Sequence, residues 1–399
     1  MSAVLRALAL LLALAILASP AAAQQGYTSP DIAVTPPPGW SLTPALGASQ
    51  TWDDNVTLRG PGDNPVSDVV NVVTPRTELN YVGPRGQLAA RYDGSFLRYR
   101  SSSTLDAYEQ YGSLGAKRRL TKNTALFVNA GASVAPTTEL VQLTAVPYVR
   151  AGTREEDAKI GVESILSKRL TISADVHGQQ VRFDENAPFA NLRLGGTSFG
   201  AGFSLRDRLT EKMSLTADYD GLRANIGERH DIFVVQNAMI GLERQLNRTT
   251  RISGGIGAAR LDSPSLGFSK TGPSYRFEVS RDLRSSVVDV LLYQSYVPSW
   301  SFGGTTQNQE ATVRLRVPLS RRLYTQSLVS WRKDDPLIEI TPPLKSLWVQ
   351  ATVGYTARSW VRIEGFYMGT KQTVVAPDKL LTHNMIGIQV IASKPVRLR

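Results

Sequence analysis

The chain has 399 residues and not one cysteine, which excludes disulfide bonds, thiol nucleophiles and thiolate metal sites. Histidine is scarce as well: His177, His230 and His383 are far apart and lack metal-ligand spacing. The sequence therefore predicts neither a metal centre nor a cofactor. Beyond residue 23 it has no long uninterrupted apolar stretch, so we expect no transmembrane helix, and any membrane crossing must use strands.

The N-terminus has the pattern of a secretory signal. Arg6 precedes an apolar run at 7–18, which is shorter than the roughly 20 residues that a membrane-spanning helix needs. Small residues follow up to Ala23, the predicted cleavage position. We therefore interpret 1–23 as a signal peptide that is removed during export.

Two further segments follow the signal. Residues 24–40 contain three consecutive prolines, 36–38, and predict a stiff, polyproline-like periplasmic lead-in. Residues 41–399 carry one uniform pattern and are predicted to form a single domain.

That pattern is a strict alternation of apolar and polar side chains. From Met213, one parity is apolar (Met213, Leu215, Ala217, Tyr219) and the other is polar (Ser214, Thr216, Asp218, Asp220). The stretch 310–317 repeats it. A period of two predicts β-strands with one apolar and one polar face.

The number of strands and the rhythm of their connections indicate the fold class. About eighteen strands, with sixteen as the alternative count, follow one another along the chain. Short connections such as 119–123 alternate with long ones such as 135–154. Outer-membrane barrels have short periplasmic turns and long external loops. The sequence thus predicts an all-β fold: a transmembrane antiparallel up-and-down β-barrel in a bacterial outer membrane, surrounded by lipid and placed there by the barrel-insertion machinery.

The net charge of +11 is concentrated at the short turns. One interpretation is contact with anionic phospholipid headgroups. The other is guidance of an acidic polymer or an acidic periplasmic partner. Export, and the spread of the charge over many turns, argue against nucleic acid as a partner. The predicted basic rim consists of Arg118, Arg119, Lys168, Arg169, Arg206, Arg208, Arg244, Arg248, Arg281, Arg284, Arg321, Arg322 and Arg358.

The polar face of each strand is expected to point into the barrel, which predicts a lumen of mixed charge. A barrel of this size leaves room for an aqueous path. The alternative is that the charges pair across the wall and partly fill the interior. The predicted lumen-lining residues are Arg76, Glu78, Arg91, Asp93, Lys159, Glu163, Asp175, Asp218, Asp220, Arg276, Glu278, Glu310, Arg314, Arg316, Arg362 and Glu364.

The sequence contains one match to a catalytic motif. Residues 196–200 spell G-x-S-x-G around Ser198, but that motif requires a strand, a sharp turn and a helix. Here Ser198 lies within a predicted strand, and no helix pattern follows it. We therefore predict that the protein is not an enzyme.

The opening of the first predicted strand resembles a known family. Trp52, Asp53, Asp54 and Asn55 are similar to the first-strand motif of outer-membrane β-barrel porins encoded with exopolysaccharide synthesis and export genes. The resemblance implies a conduit that passes an exopolysaccharide, its cargo, across the outer membrane together with a periplasmic polysaccharide export complex. It implies no catalytic residues. The C-terminus departs from the usual barrel pattern because it does not end in an aromatic residue.

Two alternatives to the polysaccharide conduit are open. A general diffusion porin for small hydrophilic solutes predicts a long loop folded inward as a constriction, for which 135–154 is the candidate. A structural or adhesive barrel predicts a filled lumen.

Overall fold

In the computed structural model, the described residues are 38–60, 64–141, 146, 148–184, 195–227, 231–283, 286–300, 304–337, 343–374 and 379–398. The predicted signal peptide and most of the lead-in lie outside these ranges. The first strand begins at Gly39, so the last two residues assigned to the lead-in belong to the barrel wall.

Nineteen strands and two short helical segments make up the described chain. The strands are β1 (Gly39–Asp53), β2 (Asp68–Val82), β3 (Gly86–Tyr99), β4 (Ala107–Arg119), β5 (Thr124–Ala135), β6 (Thr153–Ile165), β7 (Leu170–Phe183), β8 (Gly196–Thr210), β9 (Met213–Ile226), β10 (Asp231–Gln245), β11 (Thr250–Ser263), β12 (Phe268–Leu283), β13 (Ser286–Pro298), β14 (Thr305–Pro318), β15 (Leu323–Pro336), β16 (Leu344–Arg358), β17 (Val361–Val374), β18 (Lys379–Ser393) and β19 (Val396–Leu398). The helical segments are a 3-10 turn, Ser103–Leu105, and the one-turn helix α1, Thr138–Val141.

The strands form a closed barrel. Each strand from β1 to β17 pairs antiparallel with its successor, and β1 also pairs with β18 through nine residue pairs. The predicted antiparallel barrel of eighteen strands is therefore confirmed. Beyond the predicted strands, β19 pairs with Trp40–Leu42 of β1, where β18 has already ended. The segment after Ser393 thus extends the seam of the barrel.

The connections at one end of the barrel are all short, whereas those at the other end vary in length and include the longest ones. The short turns include 120–123, 166–169 and 211–212, and they share one end with Gly39 and Ser393. The long connections, including those that hold the 3-10 turn and α1, lie at the other end. In the described ranges, no helix is long and apolar enough to cross a membrane.

Alternation places the apolar side chains on the outside of the barrel. Ile240 and Ile256 lie opposite each other on β10 and β11 and remain 64% and 76% exposed, and Phe199 is 65% exposed. Such exposure of large apolar groups marks a surface that another phase covers. In an outer-membrane barrel that phase is the hydrocarbon of the bilayer.

Candidate functional site: the inward-folded loop

The connection between β5 and β6, residues 136–152, is called the inner loop here; its described residues, 136–141, 146 and 148–152, fold into the mouth of the barrel. In its described part, Thr138, Glu139 and Tyr148 are 0%, 3% and 4% exposed. The loop closes on itself because Thr138 N donates to Val149 O at 3.0 Å, and Val149 N donates to Thr138 Oγ1 at 2.8 Å.

Glu139 fastens the inner loop to a distant part of the wall. Thr370 Oγ1 on β17 donates to Glu139 Oε1 at 2.6 Å, and His383 Nδ1 on β18 lies 2.8 Å from Glu139 Oε2. His383 Nε2 lies 2.9 Å from Asp53 Oδ1 on β1. We call these four residues the latch. In the ring, β5 lies six strands from β17, a third of the circumference.

The latch geometry fixes the charge of its central residue. Carboxylate oxygens only accept hydrogen bonds, so His383 donates from both ring nitrogens and is an imidazolium. Burial alone would raise the pKa of Glu139, but the charge of His383 and the hydrogen bonds from His383 and Thr370 outweigh it and hold that pKa below its usual value. The Glu139–His383 pair therefore stays ionised although it is buried.

Further contacts hold the other half of the inner loop. Tyr148 N donates to Gln372 Oε1 on β17 at 2.6 Å. The guanidinium of Arg150 donates to Val56 O and Leu105 O, at 3.2 and 2.6 Å, and lies 5.2 Å from the ring centroid of Tyr99. Arg150 thus ties the inner loop to the two neighbouring long connections.

Apolar packing fills another sector of the mouth. Trp300, after β13, is 3% exposed and belongs to a buried cluster with Val146, Phe233 and Leu261. Gly195 N donates to Trp300 O at 3.2 Å, which joins the connection before β8 to the one after β13. This sector is packed like a protein core.

A cavity lies on the side of β1, β2, β3, β4 and β18. Its polar lining residues include Thr51, Asp53, Arg76, Tyr99, Glu109 and Gln389. Asp53 belongs to the latch as well, so the inner loop adjoins this cavity.

The residues predicted to line the lumen all have the parity opposite to the exposed apolar residues and so lie on the inner face. Asp93 contacts Arg76 and lies 2.7 Å from Arg91 Nε. Asp175 lies 3.0 Å from Lys159 Nζ and 3.1 Å from His177 Nδ1. Their role in lining a conducting path stays a prediction.

Other members of the predicted set also have partners. Glu163 lies 3.1 Å from Lys117 Nζ, and Glu310 lies 3.9 Å from Arg332 Nη2. Glu364, which is fully buried, accepts from Tyr324 and from Gln389 Nε2. The remaining members of the set differ in exposure; for example, Arg314 is exposed, whereas Asp218 is half-buried.

The predicted basic rim lies at the short-turn end of the barrel. Arg284 lies outside the described residues, and every described member except Arg206 is exposed. Arg206 turns inward, where its Nη2 lies 2.8 Å from Glu243 Oε2, and Glu243 also contacts Arg251. Arg206 is therefore part of the inner wall.

Asp53, Asp54 and His383 offer ligand atoms that all lie within 4.8 Å of one another. Both nitrogens of His383 are already bonded to carboxylates, and Asp54 accepts from Asn384 N and Nδ2 at 2.7 and 2.6 Å. A cation would have to displace His383 from the latch. Hydrogen bonding is therefore sufficient to explain why these three side chains lie together. His230 lies outside the described residues.

Ser198 lies near the start of an extended strand. Strand β8 continues from Gly196 to Thr210, without the strand, turn and helix that a nucleophile elbow requires. The five-residue motif therefore has no catalytic geometry.

No protein-family model matches the chain, and neither does any curated protein. Among solved structures, OccAB3 of Acinetobacter baumannii aligns with a TM-score of 0.47 and 10% identity, over 90% of this chain and 99% of that one. The outer membrane protein OpdK of Pseudomonas aeruginosa gives 0.46 and 11%, over 90% and 99%. OccK5 (OpdH) of the same organism gives 0.47 and 11%, over 90% and 98%. At these values the similarity gives no information about function, which has to be inferred from the barrel itself.

Proposed function

We propose that the chain forms an outer-membrane channel through which small hydrophilic solutes diffuse. The inner loop carries this proposal, because it narrows the mouth and is fastened by buried bonds to β17 and β18. A diffusion porin needs such a fixed constriction, which excludes large solutes while small ones pass.

The wall supports the same function. Its outer face is apolar, which suits the bilayer, and its inner face carries both signs of charge. Charged side chains that are already paired leave a polar surface without a single strongly attractive site. Such a surface favours the passage of solutes over their retention.

Polysaccharide export, the function implied by the opening motif, receives no support. A polymer conduit needs a bore that stays wide along its whole length, whereas the described part of the inner loop and the Trp300 cluster lie inside this mouth. A periplasmic export complex, the insertion machinery and cleavage after Ala23 stay predictions from the sequence.

The test is a pair of measurements on the refolded full chain. Planar bilayers should show a steady conductance that soluble polysaccharides of either charge leave unblocked. Liposome swelling should show entry of monosaccharides and exclusion of oligosaccharides above a sharp size limit. Block by one class of polysaccharide would favour a polymer conduit, and a silent bilayer would favour a filled structural barrel.

A further inference from the structure

Three lysines lie on the outer face of adjacent strands, near the long-loop end. Lys333 on β15 lies directly opposite Lys345 on β16. Lys371 on β17 lies opposite Leu347, two residues from Lys345. Like charges placed directly opposite each other on neighbouring strands destabilise a sheet. We call these three residues the lysine patch.

Among the residues that the structure describes, most of this charge has no ionic partner. Lys333 Nζ lies 2.6 Å from Asp335 Oδ2, but Lys345 and Lys371 are exposed and form no ion pair with any residue that the structure describes. Two other outward basic residues at this end have acidic partners: Arg98 pairs with Asp106, and Arg260 pairs with Asp262. Within the described part of the chain, the patch is therefore a local excess of positive charge.

The patch lies at a defined depth in the membrane. Trp331, two residues before Lys333, is 40% exposed on the same face and lies opposite Leu347, which is 37% exposed. Tyr367 on β17 is 37% exposed on this face as well. Aromatic side chains mark the membrane interface. Two residues of strand correspond to about 7 Å, which places the lysines at the level of lipid headgroups.

We propose that the lysine patch binds the phosphates of a bisphosphorylated glycolipid in the outer leaflet. Lysine ammonium groups bind phosphate as point charges, and their spread over three strands suits two phosphates better than one. Trp331 and Leu347 offer an apolar surface to the acyl chains, which inorganic phosphate could not use. The proposal rests on the barrel's place in the membrane and is independent of the solute that crosses it.

The experiment compares two double variants of the folded full chain. Lys345→Gln with Lys371→Gln removes the unpaired charge, whereas Arg98→Gln with Arg260→Gln removes two paired charges from the same end. Binding of diphosphoryl lipid A is measured in mixed micelles, with phosphatidylglycerol and inorganic phosphate as separate probes. We expect the lysine variant to bind lipid A roughly tenfold or more weakly, and the arginine variant to bind as the wild type does.

Three results would overturn the proposal: equal affinity in the lysine variant, equal loss in the arginine variant, or full competition by inorganic phosphate at the same phosphate concentration. Lys345→Arg with Lys371→Arg should retain binding because the charge is kept. Heat-modifiable migration in gels confirms folding of each variant. Bilayer conductance of the lysine variant should match the wild type, so a failure here would leave the channel proposal standing.

Discussion

Glu139 and His383 are 244 positions apart in the sequence, yet Glu139 Oε2 lies 2.8 Å from His383 Nδ1. Both side chains are nearly fully buried, at 4% and 5% exposure. Removing one partner of a buried ion pair leaves an uncompensated charge, which costs about 3–5 kcal/mol. This contact is therefore the point at which the position of the inner loop is most sensitive to change.

Glu139→Gln should loosen the inner loop without unfolding the barrel. The amide keeps the size of the side chain but leaves the imidazolium of His383 with one carboxylate, that of Asp53. We expect faster proteolysis within 136–152 and larger fluctuations in single-channel current. The matched control is Glu156→Gln, on the outward face of β6, where the carboxylate pairs with Arg154 away from the latch. Equal proteolysis of the two variants would contradict a role for the latch.

Acid should open the latch in the wild-type protein. The pKa of Glu139 lies below its usual 4.5, so its contribution to stability is complete above that value and is lost as the pH falls through the depressed pKa. We expect a quiet channel at neutral pH and current fluctuations well below pH 4.5. In Glu139→Gln the fluctuations should be present at every pH. A wild-type current that stays quiet in acid would argue against the latch as the restraint.

The barrel could be predicted from the sequence because its determinants are local. Alternation such as that from Met213 to Asp220 needs only a period of two, and these residues lie within β9. The length of each connection is equally visible in the sequence. Trp331 and Tyr367 lie on the outer face because their apolar neighbours share their parity.

The latch could not be predicted in the same way. Asp53, Glu139 and His383 come from three remote segments, and only the closure of β18 against β1 brings two of them together. Before the fold is known, His383 is a lone histidine in a strand. The sequence did contain part of the signal, because His383 is a polar residue of inward parity near a long loop. β19 was also beyond prediction, because three residues are too few to show a period.

Cysteine substitution can test which side of the wall faces water, since the native chain has no cysteine of its own. Arg314 and Val313 are adjacent on β14, but Arg314 has inward parity and Val313 is 44% exposed on the outer face. In lipid vesicles, a small charged thiol reagent should modify Arg314→Cys rapidly and reduce conductance. Val313→Cys should stay unmodified until detergent is added. Equal reactivity of the two would contradict an aqueous lumen at this level.

Glu243 offers a test of ion selectivity. Its carboxylate contacts both Arg206 and Arg251 on the inner wall near the short turns. Glu243→Gln adds one net positive charge to the bore, so the reversal potential in a salt gradient should shift toward anion selectivity. Glu211→Gln is the control, because Glu211 lies exposed in the turn between β8 and β9. An unchanged reversal potential in Glu243→Gln would mean that ions do not pass this group.

A lysine substitution at the middle of β11 should have different effects on its two faces, because only the outer face contacts lipid. Ile256 lies at the centre of β11 and is 76% exposed on the outside, while Ser253 has inward parity and lies opposite Glu243. Lysine at the bilayer midplane costs about 2–4 kcal/mol, so Ile256→Lys should lower the folded fraction in lipid vesicles, read from heat-modifiable gel migration. Ser253→Lys should fold as the wild type does, because its ammonium group meets water or Glu243. If both variants fold equally well, the face that exposes Ile256 does not contact the hydrocarbon of a membrane.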